Sequence, residues 1–432
     1  MFLSIRRIAL MAAVLLAFTG GLAVAQQDKP AKAPFPYVWA TAYHVLEETT
    51  SEESGYFSLI EGQNGKVYVG TAAYGRNAYL VELDPKTGKQ RIVIDTHKLN
   101  DIDASGIRAQ AKIHTRNYVG KSGRIYVASK QGYPADGENP WDYPGGYVMH
   151  YDPKTDTAHS YGMIPFHAHG VCDIVADEDR GILYLATQSD ADRQALWVRY
   201  DIDSDSYKMI YSNLSFYGQT LLDREGTAYN ITEDNRIVSY NPDTGRVRVR
   251  PMMVDGERLT NDNETQRGVP TWIVTPNGAH AYLIYMSEPT LYRIDLRQDG
   301  GSFVVERLGG VLETDQRTDS RCVLSMGPDG RDYGVLHDPD KSGFGGHRLH
   351  HLTRYDPKTG AIDDLGVLAV KNPDFANFKE NRGWHHGYHT LPDGTLTPLY
   401  NHMGLWMGSN GDAYVTIIYP YSVLHIKGVA KP

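Results

Sequence analysis

Apolar and polar positions alternate along the chain in short runs, and the runs recur. Each copy is an apolar strand, a Gly-containing turn and a second strand carrying a tyrosine. The copies read YFSLIEGQNGKVYVG from Tyr56, HTRNYVGKSGRIYVA from His114, CDIVADEDRGILYLA from Cys172 and YGQTLLDREGTAYNI from Tyr217. They continue as VPTWIVTPNGAHAYLI from Val269, RCVLSMGPDGRDYGV from Arg321 and HMGLWMGSNGDAYVT from His402. Aligned on the turn, the tyrosines of these seven copies are Tyr68, Tyr126, Tyr184, Tyr229, Tyr282, Tyr333 and Tyr414. A second element follows most copies, an apolar strand ending in a turn such as Asp84-Pro85-Lys86-Thr87-Gly88, Asn241-Pro242-Asp243-Thr244-Gly245 or Asp356-Pro357-Lys358-Thr359-Gly360. Asp or Asn opens such a turn by bonding its own backbone, Pro presets φ, and Gly takes the left-handed position. Two hairpins per repeat of about 45 to 60 residues mark a propeller blade. The pattern predicts an all-β fold, a seven-bladed β-propeller. The last copy has no room for a fourth strand after Tyr421–Ile426. The strand near Tyr37–Val45 is expected to supply it and close the ring, which removes an exposed sheet edge.

Composition narrows the setting. The 432 residues are 41% apolar and 22% charged, enough apolar mass for a large core. The net charge of −9 argues against nucleic acid as a partner, since a backbone binder needs surplus Lys and Arg. Arg6 and Arg7 precede an apolar run from Ile8 to Phe18, and Ala23-Val24-Ala25 offers a small-x-small cleavage site. Residues 1–25 are therefore expected to be a signal peptide and 26–432 a single propeller domain, secreted or periplasmic. The run is too short and wrongly flanked for a membrane span. A monomer is expected. Tyrosine outnumbers phenylalanine 30 to 10. The structural explanation is strand content; the functional one is contact with carbohydrate through ring faces. Cys172 and Cys322 lie in different repeats and are expected to be buried free thiols.

In a propeller the first strand of each blade lines the central channel, and its N-terminal end opens at the mouth. Long loops fall on that side, Gly132–Gly146, Gln188–Ala195 and His337–His351, and long loops on a rigid scaffold carry function. In the second repeat Lys112, His114 and Arg116 alternate, and i, i+2, i+4 share one face of a strand. With that face on the channel, the turn at Ser122-Gly123 sets Lys130 about opposite His114. Arg321 and His402 occupy the position of His114 in their repeats; Tyr56 and Tyr217 do so in theirs. The mouth of an acidic protein thus gathers His, Arg, Lys and Tyr, a field suited to an anionic polysaccharide or oligosaccharide. The competing arrangement turns these groups toward the neighbouring sheet, which a charged triple resists. Histidines cluster late, and Cys322 and His337 flank the turn Asp329-Gly330 almost symmetrically. Cys322, His337 and His402 form a candidate zinc set, against the alternative of ordinary surface and loop histidines. No motif for an organic cofactor, nucleophile elbow or phosphate loop is present.

The run Lys112-Ile113-His114-Thr115, followed by strand, Gly turn and strand, resembles the seven-bladed ulvan lyases, which cleave a sulfated, uronic-acid-containing polysaccharide. The resemblance covers the repeat framework over most of the chain and is sharpest in the second and third repeats. It implies β-elimination, with His114 as base, Tyr184 as acid, Arg199 neutralising the uronate carboxylate and a structural zinc on Cys322 and His337. The sequence departs where a second histidine is expected and Lys130 stands. The residues themselves raise an objection: Tyr184 sits where every repeat has tyrosine, and Arg199 has counterparts in Arg293 and Arg354, so both suit a scaffold role. Tyr217, at the mouth, is the rival acid. Lys112, Arg116, Arg321 and Trp384 are candidate substrate contacts. Trp384 lies in the 370–399 insertion, expected either as a hairpin over the mouth or as a capped edge. Two other functions remain: a non-catalytic propeller that binds glycan or protein, and a lactonase-type propeller enzyme.

Overall fold

A computed structural model describes residues 32–51, 58–262, 264–312, 323–345, 348–379, 387–399 and 404–430. The chain is nearly all β. One short helix, Thr96–Asn100, is capped by Asp95, whose carboxylate accepts from the Lys98 amide. No helix among the described residues is long and apolar enough to cross a membrane.

The strands follow one another as four-stranded antiparallel meanders. The first is Leu59–Glu61, Val67–Gly70, Tyr79–Leu83 and Gln90–Asp95. The second spans 112–163, and its first strand is broken into Lys112–Ile113 and Tyr118–Val119, both paired to Ile125–Lys130. Others span 170–212, 221–254, 270–310 and 324–370. After these come Leu405–Met407, Ala413–Ile417 and Ser422–Ile426, a last meander joined by Tyr37–His44. Tyr37–His44 runs antiparallel to Ser422–Ile426 and, through its first half, parallel to Ile362–Val370.

Local chemistry explains the repeat. The Asp84 carboxylate accepts from the Lys86 amide and its carbonyl accepts from Gly88, which sits at φ +74°. Asn241 with Gly245 and Asp356 with Gly360 repeat the backbone bond. The repeated tyrosines are core pieces with a polar tip. Tyr68, Tyr126, Tyr229 and Tyr333 are buried and donate their hydroxyls to Glu82, Glu178, Asp223 and Asp329. Much of the tyrosine excess is thereby scaffold. Neighbouring meanders share cores: the second and third bury Val148, Ile174 and Leu183 together, and the fourth and fifth bury Ile237, Trp272 and Leu283.

The first strands of the meanders surround one cavity of about 290 Å³, to which Leu59, Asn117, Val175, Leu221, Ile273, Leu324 and Leu405 each contribute. The insertion after Val370 forms a hairpin, Tyr388–Thr390 with Leu396–Pro398, whose Leu396 pairs with Val370. The Tyr37 hydroxyl donates to Asp393, and Tyr388 meets Ser422. The hairpin thus extends a sheet edge beside the last meander. Trp384 lies outside the described residues.

Candidate functional site

Arg116 helps to line the cavity, and the other basic residues of the second meander lie just before it in the chain or on its partner strand. The register pairs Lys112 with Lys130 and Ile113 with Ser129, so Lys130 faces Lys112 rather than His114. The expected alternation fails because the strand leaves its ladder after Ile113. At Arg116 it instead makes a parallel bridge to Asp173 of the third meander. Both ammonium groups are buried. The Lys112 Nζ sits over the rings of Tyr74 and Tyr133, 4.4 and 4.0 Å from their centroids, where the ring quadrupole stabilises a cation. Lys130 meets Asp190 at 3.4 Å.

His114 is fully buried, and its ring stacks on Tyr217 with centroids 5.2 Å apart. Tyr217 holds φ +54°, the left-handed region, which costs a non-glycine residue about 1–2 kcal/mol. Its neighbour Phe216 is exposed and packs edge-on against it. The segment Phe216-Tyr217 therefore covers His114. Arg116 points the same way, toward the fourth meander, but its guanidinium is engaged by the scaffold. It donates to the carbonyls of Thr220 (2.7 Å) and Trp272 (3.3 Å) and pairs with buried Asp173 at 3.3 Å.

The long loop 132–146 overhangs this end. Tyr143 anchors it, fully buried, with its hydroxyl donated to Gln110, which also accepts from Ser129. Held in this way, the loop leaves Tyr133 and Trp141 half exposed. Trp141 stacks with His167 and carries Arg193 over its ring. Next along, His169 bonds Thr187, and burial together with Arg193 lowers its pKa to about 4.

The other expected residues fall elsewhere. Tyr184 is in the core, with Val175 and Arg199 as ladder partners and its ring against Trp197 and Tyr240. Burial and the Asp177 carboxylate raise its hydroxyl pKa well above the usual value. Arg199 forms an ion pair with Asp201 and donates to the Tyr240 hydroxyl. His337 stacks on its cross-strand partner His350, centroids 4.4 Å apart, and His350 bonds the Pro398 carbonyl. Among the described residues no three His, Cys, Asp or Glu gather as metal ligands. Cys322, His402, Arg321 and Tyr56 lie outside those residues. Cys172 is buried, and its Sγ donates to the Ala186 carbonyl.

Tyr74, Tyr133, Trp141, His169 and Asp190 are the mouth residues that the repeat pattern did not single out. They lie off the repeated strands, and only the long loops 132–146 and 188–195 pointed toward Tyr133, Trp141 and Asp190.

No family model matches the chain, and no curated protein does. Among solved structures the chain is similar to the β-propeller domain of Cps50 (Swd1) from Myceliophteria thermophila. The identity is 11% and the TM-score 0.52, over 91% of this chain and 99% of that one. The fold is that of a β-propeller. An oligogalacturonate lyase from Vibrio parahaemolyticus (11% identity, TM-score 0.49, 92% and 98% covered) has a lower score. So does the periplasmic gluconolactonase of Pseudomonas aeruginosa (12%, 0.46, 82% and 91%).

Proposed function

We propose that the protein is a secreted seven-bladed β-propeller, its ring closed by Tyr37–His44, that cleaves a uronate-containing, ulvan-like polysaccharide by β-elimination. The observation that carries this reading is the His114–Tyr217 stack, two residues along the chain from Lys112, whose register partner is the buried Lys130. A base, a hydroxyl and fixed cations within one mouth are what uronate elimination requires.

The chemistry runs as follows. Lys112 and Lys130 neutralise the uronate carboxylate, which acidifies the C5 proton and stabilises the enolate-like charge that develops there. His114, as neutral imidazole, takes that proton. The electron pair forms the C4–C5 double bond and expels the C4 oxygen. The Tyr217 hydroxyl protonates that oxygen. A positioned acid or base contributes about 10²- to 10⁴-fold each. Tyr217 is preferred to Tyr184 as the acid because Tyr184 is held in the core. Substrate reaches His114 when the exposed Phe216 shifts to admit the uronate while the Tyr217 hydroxyl stays beside the imidazole. Tyr133 and Trp141 offer exposed ring faces to sugars.

The test is incubation with ulvan, glucuronan and heparan-type chains while following the near-ultraviolet absorbance of an unsaturated uronate. A rise that vanishes in His114→Ala supports the lyase. Binding without product on any polymer identifies a glycan-binding propeller instead, and a product heavier by one water identifies a hydrolase or lactonase.

A further inference from the structure

At the end of the fourth meander away from His114, the outer strand reads Arg246-Val247-Arg248-Val249-Arg250. Alternation sets the three guanidinium groups on one face of the sheet, spanning about 13 Å along the strand. The register extends that face across the neighbouring strands: Arg248 lies beside Ser239, Ser239 beside Tyr229, and Arg246 beside Asn241. The turn 296–300 of the fifth meander closes the other side. The result is a groove of about 390 Å³, within the size range of small-ligand sites.

Four arginines and one carboxylate line it, in a chain of net charge −9. Asp299, at the exposed lip, pairs with Arg248, and the nearby Arg250 and Arg246 also hold its carboxyl below the usual range. Arg297 pairs with Asp295. Arg250 is 5% exposed and built in: it lies 3.6 Å over the Phe303 ring and donates to the carbonyls of Gln298 and Gly300. Its Nε is buried with no hydrogen-bond partner. Burial and Arg248 disfavour its charge, a cost that an anion in the groove would offset. Ser239, Asn241, Thr244 and Gln298 supply neutral hydroxyl and amide groups between the cations.

We propose that this groove is a second binding site, taking a short acidic oligosaccharide that carries sulfate or carboxylate groups at intervals along its chain. The spaced guanidiniums meet the acid groups and the hydroxyl–amide rows meet sugar hydroxyls. Lying at the end opposite the mouth, the groove does not feed His114. It anchors the protein on a polyanionic polymer, and a weak contact there raises the effective concentration at the mouth.

The experiment is calorimetric titration of the full chain at low salt with a heparin-derived tetrasaccharide, and with cellotetraose as the neutral control. Arg246→Glu, which changes an exposed residue, is compared with wild type, and Arg248→Ser serves as a second, milder variant; both are checked for an unchanged melting temperature. The expected result is binding of the acidic tetrasaccharide alone, weakened at least tenfold by Arg246→Glu. Turnover of any short substrate at the mouth stays unchanged. Absent binding, equal binding of cellotetraose, affinity indifferent to both substitutions, or tighter capture of single-stranded RNA would each overturn the proposal.

Discussion

Replacing Arg116 by Met tests how the channel is held together. The guanidinium crosses from the second meander to the carbonyls of Thr220 and Trp272 in the fourth and fifth, and it is the cation beside Asp173. Asp173 is fully buried. Its second oxygen accepts from the Thr220 amide at 2.7 Å, and desolvation already raises its pKa. Removing one member of such a pair leaves an uncompensated buried charge, which costs about 3–5 kcal/mol. Arg116→Met is therefore expected to lose about that much, measured by urea unfolding followed through tryptophan fluorescence. Asn at 173 still accepts from Thr220, so adding Asp173→Asn is expected to recover at least half of the loss. The sign of the pH effect follows from the raised carboxyl. Without Arg116 its folded-state pKa rises further above the unfolded value. The deficit is then smallest below about pH 4 and grows as the pH rises through the folded-state pKa. A loss under about 1 kcal/mol, a double variant no better than the single, or a deficit that deepens toward acid would refute the reasoning.

Other outcomes are expected with it. Tyr217→Phe keeps the ring on His114 and removes the hydroxyl, so kcat falls about 10²- to 10⁴-fold with KM little changed; Tyr184→Phe leaves kcat nearly intact, and steady-state kinetics on the polymer separates them. Burial, with the nearby Arg124 and Arg193 charges, lowers His150 and His169 to a pKa of about 4. The unfolded chain therefore binds the extra protons first, and stability holds above about pH 6.5 and falls between there and pH 4. Urea midpoints across that range check this, with a shallower slope expected in His150→Gln. Gly366 holds φ +121°, and a Cβ there would lie 2.4 Å from the Pro36 carbonyl oxygen. Gly366→Ala should loosen Tyr37–His44 and speed proteolysis near residue 36, read by mass spectrometry.

The fold was legible where chemistry is local. The Asp/Asn–Pro–Gly turns bond within a few residues of themselves, as do Tyr229 and Tyr333, so a single chain displays them, whereas Tyr68 and Tyr126 reach Glu82 and Glu178 farther along the chain. The site was legible in part. His114 and Tyr217 stack on each other, and Lys112 lies two residues before His114, because each starts or precedes a first strand. Register was the weak point: a parallel bridge from Arg116 to Asp173, in another meander and invisible to periodicity, broke the alternation, and Lys130 pairs with Lys112 instead of His114. Arg116 itself read as a ligand group, and only the folded chain brings its guanidinium to distant backbone carbonyls. Tyr133 and Trp141 depend on a loop whose path is set by Tyr143 and Gln110. The alternation of Arg246, Arg248 and Arg250 was present in the sequence, but the turn 296–300 that makes it a groove comes from another meander.

The pairing of Tyr37–His44 also bears on synthesis. This strand is made early, yet its partners at Val367–Val370 and Ser422–His425 come roughly 330 to 380 residues later. The entropy of closing so long a loop grows only with the logarithm of its length, so the folded chain loses little by it. A prematurely terminated chain is different: it keeps an unpaired strand at its start, with exposed N–H and C=O groups that invite aggregation or capture by a chaperone. The folded state of the first strand thus depends on the last strands being present.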